Sequence, residues 1–227
     1  MNRELEEFAY VASHDLQEPL RMVNIYTQMI VKKAASGSKE DLSQYSGFVH
    51  EGVKRMEVLI RDLLTFSRTI HAEAMPIGIA DLSAALREAM SVLKGRIEEA
   101  GAVVTMSALP CTRGETSQIA HVFQNVLSNA LKYRKIDVPP EVRISAAREG
   151  EQWVISIRDN GIGFDQQYAK RIFGLFKRLH KEEYPGTGLG LAICQRIVER
   201  YGGRMWAEAQ IGDGATFYIS LPRVVEQ

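Results

Sequence analysis

No charge sign is in excess in this chain. Lys and Arg total 28, Asp and Glu also total 28, and the 227 residues carry no net charge. A nucleic-acid binder would show a basic surplus or stripe, so that class is not expected. No apolar run approaches the ~18 residues that a membrane span needs, and no charged-then-apolar leader opens the chain. Direct membrane contact is therefore not expected either. The two cysteines, Cys111 and Cys194, stand far apart without metal or redox spacing. That suits a reducing, cytoplasmic setting. The five histidines include no i, i+4 pair, which removes the commonest helical transition-metal site. Phosphate-binding and kinase signatures of the G-x-x-x-x-G-K-[ST] and H-R-D types are missing as well.

What is present falls into two regions with different periods. Over residues 2–72 the pattern is helical. Leu42, Val49, Met56, Leu63 and Ile70 recur every seventh residue, and Tyr45, Gly52, Leu59 and Phe66 follow three positions later. These are a and d seams. Val53 and Ile60 widen the stripe beyond what a two-stranded coil uses, which fits a helix packed on two or three others. An earlier stripe runs Leu5, Phe8, Ala9, Ala12, Leu16, Leu20, Val23, Tyr26, Ile30. Between the two lies ASGSKED, where Ser38 is placed to cap the second helix. The reading is a helical hairpin, residues 2–35 and 40–71, that dimerises into a four-helix bundle. The pattern breaks at HAEAMPIG, residues 71–78, and a second domain follows. Asp81 caps a helix ending near Gly101. Next come a strand at AVVTMSA, a helix over 115–133, and strands EVRISAAR and QWVISIRD. A glycine-rich stretch leads into the helix LAICQRIVERYG, and a hairpin of RMWAEA and ATFYISL turns at IGDG. This order predicts a two-layer α/β sandwich with mostly antiparallel strands. The domains are expected at 1–72 and 81–227, joined by a linker at 73–80.

Four stretches carry candidate chemistry. In ASHDLQEPL, His14 lies two residues from both Ala12 and Leu16, roughly 160° around the helix from that stripe. Pro19 crowds the carbonyl of Asp15 and should kink the helix there. A neutral imidazole attacks phosphorus through one nitrogen when a base such as Asp15 takes the proton from the other. The helix alone leaves two readings, a reaction site or a surface histidine beside a kink. In HVFQNVLSNALKY, Asn125 and Asn129 fall opposite the buried face, with Lys132 and Tyr133 one turn on. Such a line can hold a hydrated Mg²⁺ and phosphates, or be a plain solvated face. In RDNGIGF, Asp159 ends a strand where Gly161 and Gly163 permit a tight turn, placed to accept from an exocyclic amine such as adenine's. In GTGLGLAICQRI, Gly186, Gly188 and Gly190 precede a helix, so backbone N–H groups and the helix dipole converge on an anion. Leu191 stands where a third Rossmann glycine would be, which argues against a dinucleotide site. The intervening RIFGLFKRLHKEEYP reads as a lid or as an amphipathic helix and loop.

Together and in this order, the stretches resemble a bacterial sensor histidine kinase core of the kind behind phytochrome-like or PAS sensors. SHDLQEPL is similar to its H box, QNVLSNALKY to its N box and DNGIGF to its G1 box. IFGLFKRL is similar to the F box, GTGLGL to the G2 box, and GDGATF to the last glycine turn. The resemblance implies a dimerising phosphoacceptor hairpin followed by an ATP-binding domain of the Bergerat (GHKL) fold shared with gyrase, Hsp90 and MutL. It implies that His14 is the phosphoacceptor and Asp15 its acid/base neighbour. It gives Asn125 and Asn129 to Mg²⁺ and places Lys132 and Tyr133 near the phosphates. Asp159 would read adenine, while Gly161, Gly163, Gly186, Thr187, Gly188, Leu189 and Gly190 shape the ATP pocket. A response-regulator receiver domain is the implied partner, and an upstream sensor domain is absent from this chain. Glu18 stands where many members carry Thr or Asn, so weak phosphatase activity is expected. The alternative is a dimeric nucleotide-binding scaffold without transfer. An ATP-driven clamp is disfavoured, because no glutamate accompanies the asparagine pair to activate water.

Overall fold

A computed structural model describes the backbone of residues 2–35, 42–71, 78–179, 184 and 186–224; within the two long helices, side chains are described over 15–34 and 42–67. The chain divides into two compact units, Met1–Ser67 and Arg68–Gln227.

The first unit is the hairpin. Helix α1 spans Asn2–Ala35 and runs on through Pro19, and α2 spans Leu42–His71. Ser38 and the second helix's expected first residues lie outside the described residues. The helices cross closely at Gly52, where a Cβ would stand 2.8 Å from Val23 Cγ2 and 3.4 Å from the Pro19 carbonyl oxygen. Farther along, Tyr26 stacks on Phe48 at 4.6 Å between ring centroids and on Tyr45 at 5.9 Å. This register runs antiparallel. Pro19 is buried and Val23 half-buried, whereas Leu20, expected in the stripe, is 56% exposed. At 100° per residue Leu20 sits on the stripe's edge, and Pro19 takes the position nearest α2. Val53 and Ile60 flank the seam and stay 39% and 49% exposed in the single chain, so one hairpin does not cover the stripe.

The second unit layers three helices on one face of a mixed sheet: α3 (Leu82–Glu99), α4 (Thr116–Lys132) and α5 (Gly190–Arg200). The strands are β1 (Ile79–Asp81), β2 (Val103–Met106), β3 (Cys111–Arg113), β4 (Glu141–Glu149), β5 (Gln152–Asp159), β6 (Arg204–Gln210) and β7 (Gly214–Pro222). The main sheet has the order β2-β4-β5-β7-β6. Its β4–β5 and β6–β7 pairs are hairpins, and β5–β7 is antiparallel too. The β2–β4 pair is parallel, which the sequence did not announce. Parallel neighbours need a long crossover, and α4 supplies it. Along each strand every second residue points at the helices: Val142, Ile144, Ile155, Ile157, Met205, Ala207, Phe217 and Ile219 are buried. Against them lies the apolar stripe of α4, Val122, Phe123, Val126, Leu127 and Ala130. Asp81 caps α3, its Oδ1 accepting from the N–H of Ser83 at 2.8 Å and of Ala84 at 3.1 Å.

One further feature differs from expectation. Ile79 and Ala80, read as linker, pair with Arg113 and Thr112 to make a small separate sheet. The stretch RIFGLFKRLHKEEYP, read as a lid or as an amphipathic helix and loop, opens on a 3₁₀ turn at Arg171–Phe173, and another at Gln166–Tyr168 precedes it. No helix among the described residues is long and apolar enough to cross a membrane.

The close crossing at Gly52 gives a direct test. Gly52→Leu forces the two helices apart and should destabilise the hairpin by about 1–3 kcal/mol, read as a lowered unfolding midpoint by far-UV circular dichroism. An unchanged midpoint would show that the helices do not meet there.

Candidate active site

The site is assembled around the end of α4. Its apolar stripe anchors the helix, which leaves Asn125, Asn129 and Lys132 half-buried on the flank. Asn125 Nδ2 donates to the His121 carbonyl at 3.0 Å, which fixes the amide. Its Oδ1 then rests against the first residue of α5: a Cβ on Gly190 would overlap it. No side chain caps the N-terminus of α5; the nearby Thr187 hydroxyl instead accepts from the Leu189 N–H at 3.3 Å. The start of α5 thus presents backbone donors and a positive dipole end beside an amide oxygen. Leu189 itself is fully buried and anchors the turn.

The approach to α5 is built from glycine for steric reasons. Gly188 has φ +74°, and a Cβ there would come within 2.7 Å of the Phe176 carbonyl carbon. Phe176 is itself left-handed at φ +58°, so two rarely populated backbone conformations meet at this contact. At Gly186 a Cβ would lie 3.0 Å from Lys132 Nζ. The chain therefore passes directly over the lysine.

Positive charge collects at this end. Lys132 Nζ donates to the Tyr133 hydroxyl at 2.8 Å and lies 4.4 Å from that ring's centroid. Burial, reinforced by the cations of Arg178 and Arg96, lowers the Lys132 ammonium to about 8. Arg96 reaches in from α3 and donates to the Ser128 hydroxyl at 2.8 Å. Arg178 donates to the Tyr184 carbonyl, and the Tyr184 ring packs on Tyr133 at 4.9 Å and 55°. Cations drawn together in a partly buried place call for a polyanion. The residues expected to serve as a lid lie partly outside the described residues, at 180–183 and 185.

The other end of the site is the loop after β5. Asp159 Oδ1 accepts from the N–H of Gly161 at 2.9 Å and of Ala215 at 3.2 Å. Among the described residues both bonds land on Oδ1, and Oδ2 accepts none. Burial pushes this carboxyl up, while the two N–H groups hold it down. The Ile162 N–H donates to the Tyr133 carbonyl at 2.9 Å and so ties the loop to the end of α4. Gly161 passes over that carbonyl too closely for a side chain, and Gly163, at φ +65°, lies against the Gln210 carbonyl. The loop, the end of α4 and the β6–β7 turn are thus locked together.

The structure therefore gathers Asn125, Lys132, Tyr133, Gly186, Gly188 and Gly190 at one end, and Asp159, Gly161 and Gly163 in the loop joined to it through Tyr133. Asn129 shares the flank of α4 with Asn125, one turn on. Asp15 is half-buried in the hairpin, and the side chain of His14 lies outside the described residues. Among the described residues no three His, Cys, Asp or Glu side chains converge. Sequence reasoning missed Arg178, Arg96 and Tyr184. Arg178 and Tyr184 lie in the stretch read as a lid. Arg96 is one of two arginines on α3, with no spacing to single it out.

Comparison with known proteins bears on both units. Residues 4–71 match the family described as the His Kinase A (phospho-acceptor) domain, and residues 114–225 match the histidine kinase-, DNA gyrase B- and HSP90-like ATPase. Cyanobacterial phytochrome A of Nostoc sp. is 43% identical over 97% of this chain, and the phytochrome-like protein Cph1 of Synechocystis sp. is 40% identical over 97%. The chain spans 29% of the length of each. Among solved structures, the histidine kinase ThkA in complex with the response regulator TrrA superposes with a TM-score of 0.73, at 18% identity, over 97% of this chain and 62% of that one. The Acinetobacter baumannii kinase AdeS gives 0.69 at 20% identity over 92% of this chain and 97% of that one. At such identities the structures speak for the fold.

The Lys132 environment has a measurable consequence. A lowered lysine pKa means that the folded chain holds fewer protons than the unfolded one between pH 8 and 10.5. The contribution of this group to stability therefore rises with pH through that window. A bound phosphate reverses the shift, so ADP should bind with proton uptake near pH 8 and weaken as pH rises through it. The phosphate's own pKa, about 6, lies well below. Calorimetry in buffers of different ionisation enthalpy should show the uptake in the native chain and not in Lys132→Met. Equal uptake in both would assign the titration elsewhere.

Proposed function

This chain belongs to the sensor histidine kinases, and on that premise we propose that it binds Mg-ATP at the α4–α5 site and transfers the γ-phosphoryl group to His14. One observation carries the nucleotide reading: the glycine run 186–190 lies over Lys132 and ends at the uncapped start of α5, against Asn125. That arrangement suits a chain of phosphates and leaves no room for side chains at its three glycines. Asp159, with Oδ2 open, suits the exocyclic amine of adenine. Arg178 and Arg96 add charge for the phosphate end.

A hard divalent ion fits amide oxygens and phosphate oxygens, so Asn125 and Asn129 would hold Mg²⁺, which when bound neutralises charge on the β- and γ-phosphates. The chain's own residues do the rest. Lys132 and the α5 N–H groups hold the phosphates, and Asp15 takes the proton from one imidazole nitrogen of His14. The other nitrogen attacks phosphorus: an N–P bond forms, the bond to the bridging oxygen breaks, and ADP leaves. The phosphoryl group then passes to an aspartate of a response-regulator receiver domain. The hairpin would act as a homodimer through residues 2–71, which the exposed flank at Val53 and Ile60 supports. The chain would work in the cytoplasm, receiving its signal from a sensor domain outside it. Glu18 is held by Arg55 at 3.0 Å and carries no donor to orient a hydrolytic water. Dephosphorylation of the partner should therefore be slow.

The test is phosphoryl transfer from γ-labelled Mg-ATP. Label should appear on the native chain, be lost in acid, survive alkali and vanish in His14→Gln. Label persisting in His14→Gln would place the nucleophile elsewhere. Asp159→Asn should keep the fold while cutting labelling at limiting ATP at least tenfold.

A further inference from the structure

Lys132 and Arg178 carry like charge into one partly buried place, and each is held by a tyrosine. The Lys132 ammonium donates to the Tyr133 hydroxyl and lies over its ring. The Arg178 guanidinium donates to the Tyr184 carbonyl. The two tyrosines touch, with ring centroids 4.9 Å apart and planes inclined at 55°, a favourable tilted arrangement. Tyr133 is tied to the body of the domain: it caps the C-terminal end of α4, and its carbonyl accepts from Ile162 of the adenine-end loop. Tyr184 stands two residues before Gly186, where the chain begins its passage over Lys132. The ring contact is thus the joint through which the start of the glycine run and the Arg178 guanidinium are registered against the end of α4.

We propose that Tyr184 is a positioning residue for the nucleotide's phosphates: its ring, docked on Tyr133, sets where Arg178 and Gly186 stand relative to Lys132. The proposal deepens the nucleotide reading given above and rests on it. Tyr184 itself touches no reacting atom. Its contribution is the ring, because the group that receives Arg178 is the backbone carbonyl, which any residue supplies. The mutual repulsion of Arg178 and Lys132 gives the joint its purpose. Loss of the ring lets the Tyr184 carbonyl shift and Arg178 with it, away from the lysine that repels it, so that the phosphates meet the two cations at a changed spacing. The adenine end, held by Asp159 and the loop after β5, is tied to the backbone carbonyl of Tyr133 and not to its ring, so the ring contact can be removed without it.

That separation defines the experiment. Binding of adenosine, ADP and Mg-ATP to the whole chain is measured by calorimetry for the native protein, Tyr184→Ala and Tyr184→Phe. Autophosphorylation is followed against ATP concentration in parallel. Tyr184→Ala should weaken ADP and ATP by about three- to tenfold, the range that an aromatic pair carries, and leave adenosine unchanged. Its KM for ATP should rise with kcat nearly constant, because the phosphates are held alike in ground and transition states. Tyr184→Phe should behave as native. Equal losses for adenosine and ADP would overturn the proposal by making Tyr184 general packing. Unchanged ADP affinity in Tyr184→Ala, or a Tyr184→Phe as weak as Tyr184→Ala, would overturn it too. Failure of the native chain to bind any of the three would instead remove the nucleotide reading and the proposal with it.

Discussion

The contact between Asn125 and Gly190 is the constraint on which the rest of the second unit turns. The end of one helix is brought so near the flank of another that no Cβ fits between them. Two consequences follow. Helix α5 must begin with glycine, and the amide of Asn125 must point where the two helices meet; the first turn of α5 also has no side-chain cap. A helix start without a side-chain cap is a local weakness in a purely structural protein. Here it is what makes the place useful, because the donors left over are those an anion takes.

The same logic holds for charge. Burying Lys132 beside Arg178 and Arg96 lowers its hold on a proton, an arrangement that opposes folding at neutral pH. Stability comes from elsewhere. The apolar stripe of α4 is almost wholly excluded from water, and so is the inner face of the five-stranded sheet. That core is strong enough to carry an unfavourable cluster at its margin. A bound polyphosphate would relieve the repulsion, so the cost in the free protein becomes affinity in the complex. Phe176, in the left-handed region against Gly188, is a second local cost at the same margin.

Much of this was legible in the sequence, for identifiable reasons. The heptad seams, the α4 stripe and the hairpin strands repeat over many residues, and repetition survives without knowledge of partners. The glycines of 186–190 stand immediately before a periodic helix and announce an anion site by position alone. What escaped was short or distant. The β1–β3 pairing joins three-residue strands whose partners are some thirty positions apart, and three residues have no readable period. The parallel register of β2 with β4 depends on the crossover of α4, not on the strands' own composition. Arg96, Arg178 and Tyr184 are ordinary residue types that gain meaning only from what the fold sets beside them.

The central claim is that nucleotide is held where α5 begins against Asn125. The most direct test is the affinity of Mg-ADP for the native chain and for Gly190→Ala, measured by calorimetry alongside thermal unfolding. The added methyl group displaces the Asn125 amide without touching the apolar core. The account predicts at least a tenfold loss of affinity with a cooperative unfolding transition retained. Undiminished binding in Gly190→Ala would contradict it, because the phosphates would then be held somewhere other than this junction.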